Sequence, residues 1–165
     1  MGRISVFLMT MMLFLGLAIS THATLIDLGG GMIYSTDLDI TWLQDANYAQ
    51  TSNYDADGLM TWDEAMAWVN SLSYGGYDNW RLPTFDPENP DARVNPTLLH
   101  EMGYLSYAEL GNPGMGSNDL QNTGPFINLM PDENNWIEPW YWSGTEGPLT
   151  PEGEATAWRF DFECG

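Results

Sequence analysis

Apolar residues along this chain fall into three patterns. The first is a nearly uninterrupted run, Ile4 to Ile19 (ISVFLMTMMLFLGLAI), with Arg3 before it. Thr21-His22-Ala23 follows and places small residues at the two positions a signal peptidase inspects, so residues 1–23 are expected to be a cleavable signal peptide and the mature chain to begin near Thr24. The run is shorter than the ~20 residues that span a bilayer, and no basic stop-transfer cluster follows it. The second pattern is β-like. Leu25 to Asp45 contains Met32-Ile33-Tyr34 and Ile40-Thr41-Trp42-Leu43 around a turn at Asp37-Leu38-Asp39. Asn79 to Leu82, closed by Pro83, Trp140 to Ser143, and Ala157 to Phe162 are further expected strands.

The third pattern has the helical period. Trp62, Ala65, Val69 and Leu72 make one stripe, which predicts a helix over 62–72 with Thr61 as N-cap, Glu64 completing a capping box and Gly75-Gly76 ending it. A second helix is expected from Pro96 to Leu110, capped by Asn95, with Leu98, Met102 and Leu105 inward and Gly111 at its exit. Residues 85–95 and 111–135 are punctuated by Pro, Gly and Asn and read as loops. The predicted architecture is α+β: two helices on a small, mostly antiparallel sheet with long loops. The 142 residues after Ala23 suffice for one core and are too few for two.

Composition narrows the possible partners. The chain has 23 acidic residues against four arginines and no lysine, a net charge of −19. Without Arg3, the three arginines Arg81, Arg93 and Arg159 face all 23 carboxylates, giving −20. Such a surface repels phosphate backbones, acidic lipids and sulfated polysaccharides, and it excludes nucleic acid as a partner. Eight Trp, eight Tyr and six Phe argue for a folded domain, because disordered acidic chains are poor in aromatics. Cys164 is the only cysteine, so this exported domain has no internal disulfide and relies on core packing.

Three blocks then occur in a suggestive order: Thr61-Trp62-Asp63-Glu64-Ala65, Gly75 to Thr84 (GGYDNWRLPT), and Tyr141-Trp142-Ser143-Gly144-Thr145. With them, Thr24 to Gly165 resembles the DUF1566 proteins, also called the Lcl C-terminal domain family. Glu101-Met102-Gly103 and Glu109-Leu110-Gly111 make it similar to the branch whose members often carry a PEP-CTERM-type sorting tail. The resemblance implies a compact fold akin to C-type lectins, displayed outside the cell. Studied relatives are adhesin domains for sulfated glycans, but this chain lacks the basic surface that ligand requires. Relatives usually continue into another Trp-containing strand, so the domain ending at Phe162-Glu163-Cys164-Gly165 is expected to lack its closing strand, and Cys164 its neighbour. Read from the residues alone, Trp80, Arg81, Leu82 and Pro83 are structural, with Trp80 and Leu82 inward and Arg81 paired to a carboxylate.

Two sets of residues are candidate sites. Asn53, Asp55 and Asp57, then Gly58, the Leu59 carbonyl, Thr61 and Glu64 fall close to the spacing of an EF-hand calcium loop. The competing reading is a turn followed by a helix cap, and Glu64 cannot easily serve as both cap and bidentate ligand. Asp86, Glu88, Asn89 and Asp91 read as a solvated loop. For neutral sugars, Trp136, Trp140, Tyr141 and Trp142 with Asn135 and Glu138 form the densest group of rings beside polar side chains.

Catalysis has little support: no His/Cys metal cluster and no Gly-x-Ser-x-Gly occur, and His100 is expected to be a surface or cap residue. Two readings follow. One is an exported surface or matrix module that binds glycan or matrix polymer, assisted by calcium. The other is a structural matrix protein without a discrete ligand. A glycan-active enzyme ranks below both.

Overall fold

A computed structural model describes residues 24–87, 100–113, 120, 122–129 and 140–162. The expected signal peptide, the expected start of the second helix, Asn135, Trp136, Glu138 and Cys164 lie outside the described residues.

The α+β composition is present, divided between two antiparallel sheets where a single sheet was expected. Strands β1 (Leu25–Gly29), β2 (Met32–Ser35) and β3 (Ile40–Leu43) form a meander in chain order. The β1–β2 turn uses Gly29, Gly30 and Gly31 at φ 75°, 63° and 79°, a region closed to most side chains. Ile33 and Ser35 of β2 point inward and are fully buried. Strands β4 (Trp140–Glu146) and β5 (Ala157–Asp161) form the second sheet, with an irregularity between Trp142 and Glu146.

Helix α1 (Tyr48–Thr51) is a single turn. Helix α2 (Trp62–Ser71) has the expected stripe, burying Ala65 and Val69. Its start is also as expected: Thr61 accepts from the Glu64 N–H at 3.4 Å, and the Glu64 carboxylate accepts from the Thr61 N–H at 2.8 Å. Its end differs. The helix stops at Leu72, whose ψ of 124° is extended, while Gly75 and Gly76 turn the chain so that Tyr74 and Tyr77 pair.

The second helix needs a larger correction. His100 is extended (φ −113°, ψ 109°) and bridged to Phe85, so no helix runs continuously through it from Pro96. Helix α3 (Glu101–Tyr104) starts after it and widens into a π-helical segment, Leu105–Glu109. His100 is itself buried, its ring edge-on to Phe85 at 3.7 Å, and Phe85 stacks on Trp158 at 4.3 Å. Asn79 to Leu82 forms no strand ladder either. That segment runs beside β4, held by the Gly144 N–H to the Pro83 carbonyl at 2.8 Å and the Phe85 N–H to Thr145 Oγ1 at 3.0 Å.

One core joins the two sheets: Ile33 of β2, Met102, Leu105 and Leu110, Phe126 and Leu129, and Phe160 and Phe162 beside β4. Residues 122–129 are fixed to the meander. The Ile127 N–H donates to the Gln44 carbonyl at 2.9 Å, and Asn128 Nδ2 donates to Asp45 Oδ1 at 2.9 Å.

The three sequence blocks converge at β4. Trp62 Nε1 donates to the Ser143 carbonyl at 2.8 Å, and Trp142 Nε1 donates to the Met60 carbonyl at 2.8 Å. Replacing Trp62 by Phe keeps the ring and strands that carbonyl, so the W62F chain should lose about 1–3 kcal/mol in urea unfolding. Wild-type stability in W62F would contradict this placement.

Candidate functional site

A cleft of about 860 Å³ lies where β3, α2, the Tyr77–Pro83 stretch and β4–β5 meet. Its rings come from different elements: Trp42 of β3, Trp68 of α2, Tyr77 and Trp80, and Trp140 and Trp142 of β4. Strand alternation positions the last two. Tyr141 and Phe160 face the core, where the Tyr141 hydroxyl donates to the Leu129 carbonyl, and burial pushes that phenol well above its ordinary pKa. Trp140, Trp142 and Arg159 share the opposite face. Trp140 is 39 % exposed, and the Arg159 guanidinium lies 3.3 Å above its ring centre.

Of the expected sugar-binding set, Trp140, Tyr141 and Trp142 all line the cleft, with Tyr141 also packed against the core and its hydroxyl tied to the Leu129 carbonyl. Trp136, Asn135 and Glu138 fall outside the described residues. The sequence reading missed Trp42, Trp68, Tyr77, Trp80 and Arg159 as cleft residues. One signal existed for Trp68, a large ring off the buried Trp62–Leu72 stripe. For Arg159 it was a cation, one of only four, between two aromatics.

The cleft also has polar walls. Arg81 forks onto Glu101, with Nη1 to Oε2 at 2.7 Å and Nη2 to Oε1 at 2.6 Å, and the Thr84 N–H adds 2.7 Å to Oε2. This is the expected carboxylate partner of Arg81. Burial alone would raise the Glu101 pKa, but the Arg81 fork and the Thr84 hydrogen bonds prevail and hold it below the ordinary glutamate range. Asp39 accepts the Tyr34 hydroxyl at 2.7 Å. Asp45 Oδ1 accepts the Asn47 N–H at 3.0 Å and Asn128 Nδ2 at 2.9 Å.

The expected calcium residues are used for chain folding. Asn53, at φ 58°, stands one residue past Ser52 and ends α1 in the left-handed region. Asp55 Oδ1 accepts the Asp57 and Gly58 N–H groups at 3.1 and 2.7 Å, which lowers its pKa, and Asp57 Oδ1 accepts the Leu59 N–H at 3.0 Å. Gly58 has φ 79°, and a Cβ there would collide with the Asn47 side chain. Glu64 is committed to the capping box, whose hydrogen bonds lower its pKa. Among the described residues no three His, Cys, Asp or Glu side chains are grouped to hold a metal. The residues as arranged do not fit calcium unless Glu64 leaves Thr61. Of the second acidic cluster, Asp86 is partly buried, and Glu88, Asn89 and Asp91 lie outside the described residues.

Away from the cleft, Glu109 of the π segment faces the β2–β3 turn. Ser35 Oγ donates to its Oε1 at 2.6 Å, while its buried Oε2 has no hydrogen-bond partner among the described residues. Burial, and secondarily the Asp37 charge, raise the Glu109 pKa despite the Ser35 bond. Tyr104 donates to Asp37 at 2.6 Å and is pushed up to about 12 by that hydrogen bond first and burial second.

No protein-family profile matches this chain, and no curated protein or solved structure proved similar to it.

Two predictions test these assignments. Thr61→Ala should cost about 1 kcal/mol, and the wild-type melting midpoint should be equal in millimolar calcium and in chelator. A calcium-dependent rise would reassign Glu64 to the ion. The second prediction concerns pH. Glu101, with its lowered pKa, contributes stability above the ordinary glutamate pKa that is lost as pH falls through its folded value. Glu109, with its raised pKa, contributes stability at low pH that is lost as pH rises through its folded value. Glu101→Gln should therefore flatten the acid limb of a melting-versus-pH profile, and Glu109→Gln should raise the midpoint at neutral pH. An unchanged profile in both variants would refute the two environments.

Proposed function

We propose that this chain is an exported surface or matrix module that binds glycan in the aromatic cleft. The carrying observation is the cleft itself, where indole and phenol rings from four parts of the chain stand beside fixed carboxylates. Rings of this kind stack on sugar faces, and neighbouring carboxylates accept hydroxyl protons. Trp140 gives this reading a single accessible test surface. Export rests on the N-terminal apolar run and the Thr21-His22-Ala23 site. The motif order supports membership of the Lcl C-terminal domain family with a C-type-lectin-like fold, though the ligand of its studied adhesins does not suit a surface of this charge.

Two features weigh against catalysis on general grounds. The charged pair lining the cleft, Arg81 and Glu101, is closed on itself, and Glu109, a half-buried carboxylate with a raised pKa, does not line the cleft. The competing non-catalytic reading is a matrix protein whose charge serves hydration without a discrete ligand.

The two separate on a glycan array probed with wild-type and Trp140→Ala chains. Binding should be confined to a few glycans and weakened at least about tenfold by Trp140→Ala, in line with stacking worth 1 kcal/mol or more. Trp140 is exposed, so circular dichroism and the melting midpoint should stay near wild type. Silence across the array, or binding indifferent to Trp140→Ala, would favour the matrix reading.

A further inference from the structure

The charge and the cleft together narrow the ligand class. The chain carries −19 with no lysine, so any docking partner meets a strongly negative field. The cleft concentrates that property. Asp39, Asp45 and Asp57 all line it, and no ion pair among the described residues reaches them. The Oδ1 atoms of Asp39 and Asp45 are fixed by internal donors, while their Oδ2 atoms accept no hydrogen bond among the described residues. They are oriented acceptors with a spare lone-pair edge. Of the two arginines that line the cleft, Arg81 is forked onto Glu101 and Arg159 lies over the Trp140 ring.

A second and independent feature is the cation already seated on the aromatic wall. The Arg159 guanidinium stacks over Trp140 at 3.3 Å, so this ring is placed where its π face stabilises positive charge.

We propose that the cleft recognises an amine-bearing glycan: an oligomer of hexosamine units whose free amino groups are protonated. Sugar faces stack on the indoles, and ammonium groups meet the Asp39 and Asp45 carboxylates or an indole face. An N-acetylated oligomer of the same length offers identical rings without the charge, and an acidic polysaccharide is repelled. This inference rests on the glycan-binding reading above and assigns its ligand class.

The test is calorimetric titration of the chain lacking residues 1–23, at mildly acidic pH, with a fully deacetylated glucosamine oligomer and its N-acetylated counterpart. The deacetylated oligomer should bind about tenfold tighter at low ionic strength, and the margin should shrink in high salt. Asp39→Asn with Asp45→Asn should remove most of that margin, weakening the deacetylated oligomer far more than the acetylated one.

Equal affinity for the two oligomers, with Trp140→Ala weakening both, would overturn the amine preference and leave glycan binding standing. A margin that survives the double Asn variant would overturn the assignment to these carboxylates. If neither oligomer binds, the amine-glycan inference is overturned. A lysine-rich peptide binding in their place would make the cleft a protein-docking site, and silence on the whole glycan array would remove the underlying reading as well.

Discussion

The fold depends on a pair of indole hydrogen bonds that cross between two distant parts of the chain. Trp62, at the start of α2, donates to the carbonyl of Ser143, and Trp142 donates to the carbonyl of Met60, just before that helix. Each ring fills space and also satisfies a backbone acceptor, the Ser143 carbonyl in the irregular stretch of β4 and the Met60 carbonyl just before α2. That combination explains why the sheet can depart from regular pairing there without orphaning its carbonyl groups. Ser143 is fully buried, and its hydroxyl accepts the Thr145 N–H at 3.2 Å, so the same few residues supply their own local polar partners.

From that junction the cleft follows. With α2 anchored to β4, Trp68 lines the same cleft as Trp140 and Trp142, and the Trp80–Pro83 segment is held beside them by the Gly144 N–H to Pro83 carbonyl bond. The Arg81–Glu101 fork then ties this segment to α3, with the Glu101 side chain only 15 % exposed. A partly desolvated bidentate pair is sensitive to loss of either member, because the survivor is left as an uncompensated charge. The acidic loop before α2 has a corresponding structural task. Asp55 and Asp57 cap successive backbone N–H groups, which lets a chain with many carboxylates turn tightly without pairing them to cations.

Legibility in the sequence tracked how local each determinant is. The capping box of Thr61 and Glu64, the stripe on α2 and the turn at Asp37 to Asp39 involve neighbours within a few residues, and pattern alone located them. The meander was readable for the same reason. What failed was set by distant partners. Asn79 to Leu82 has the composition of a strand, but its contacts with β4 come just after it, where the Pro83 carbonyl accepts the Gly144 N–H and the Phe85 N–H donates to Thr145 Oγ1, and no ladder forms. His100 sits in a helix-like stretch, yet its contact with Phe85 draws it into extended geometry. The site shows the same division. Trp140 and Trp142 were visible as a dense aromatic run, whereas Trp42, Trp68 and Arg159 become neighbours only through tertiary packing.

Proximity also bears on the choice between acidic loop and ion site. Glu64 stands at the right spacing for calcium and at the right spacing for a helix cap, and the cap partner is three residues away with no dehydration required. An ion would have to displace those bonds and strip water from several carboxylates at once. The same reasoning bears on charge across the whole molecule. With so few cations available internally, carboxylates such as Asp27, Asp39, Asp55 and Asp57 are held by backbone N–H groups and hydroxyls, which orient them without neutralising them. The carboxylates at the cleft therefore keep their charge, which is the premise of the proposed cationic ligand.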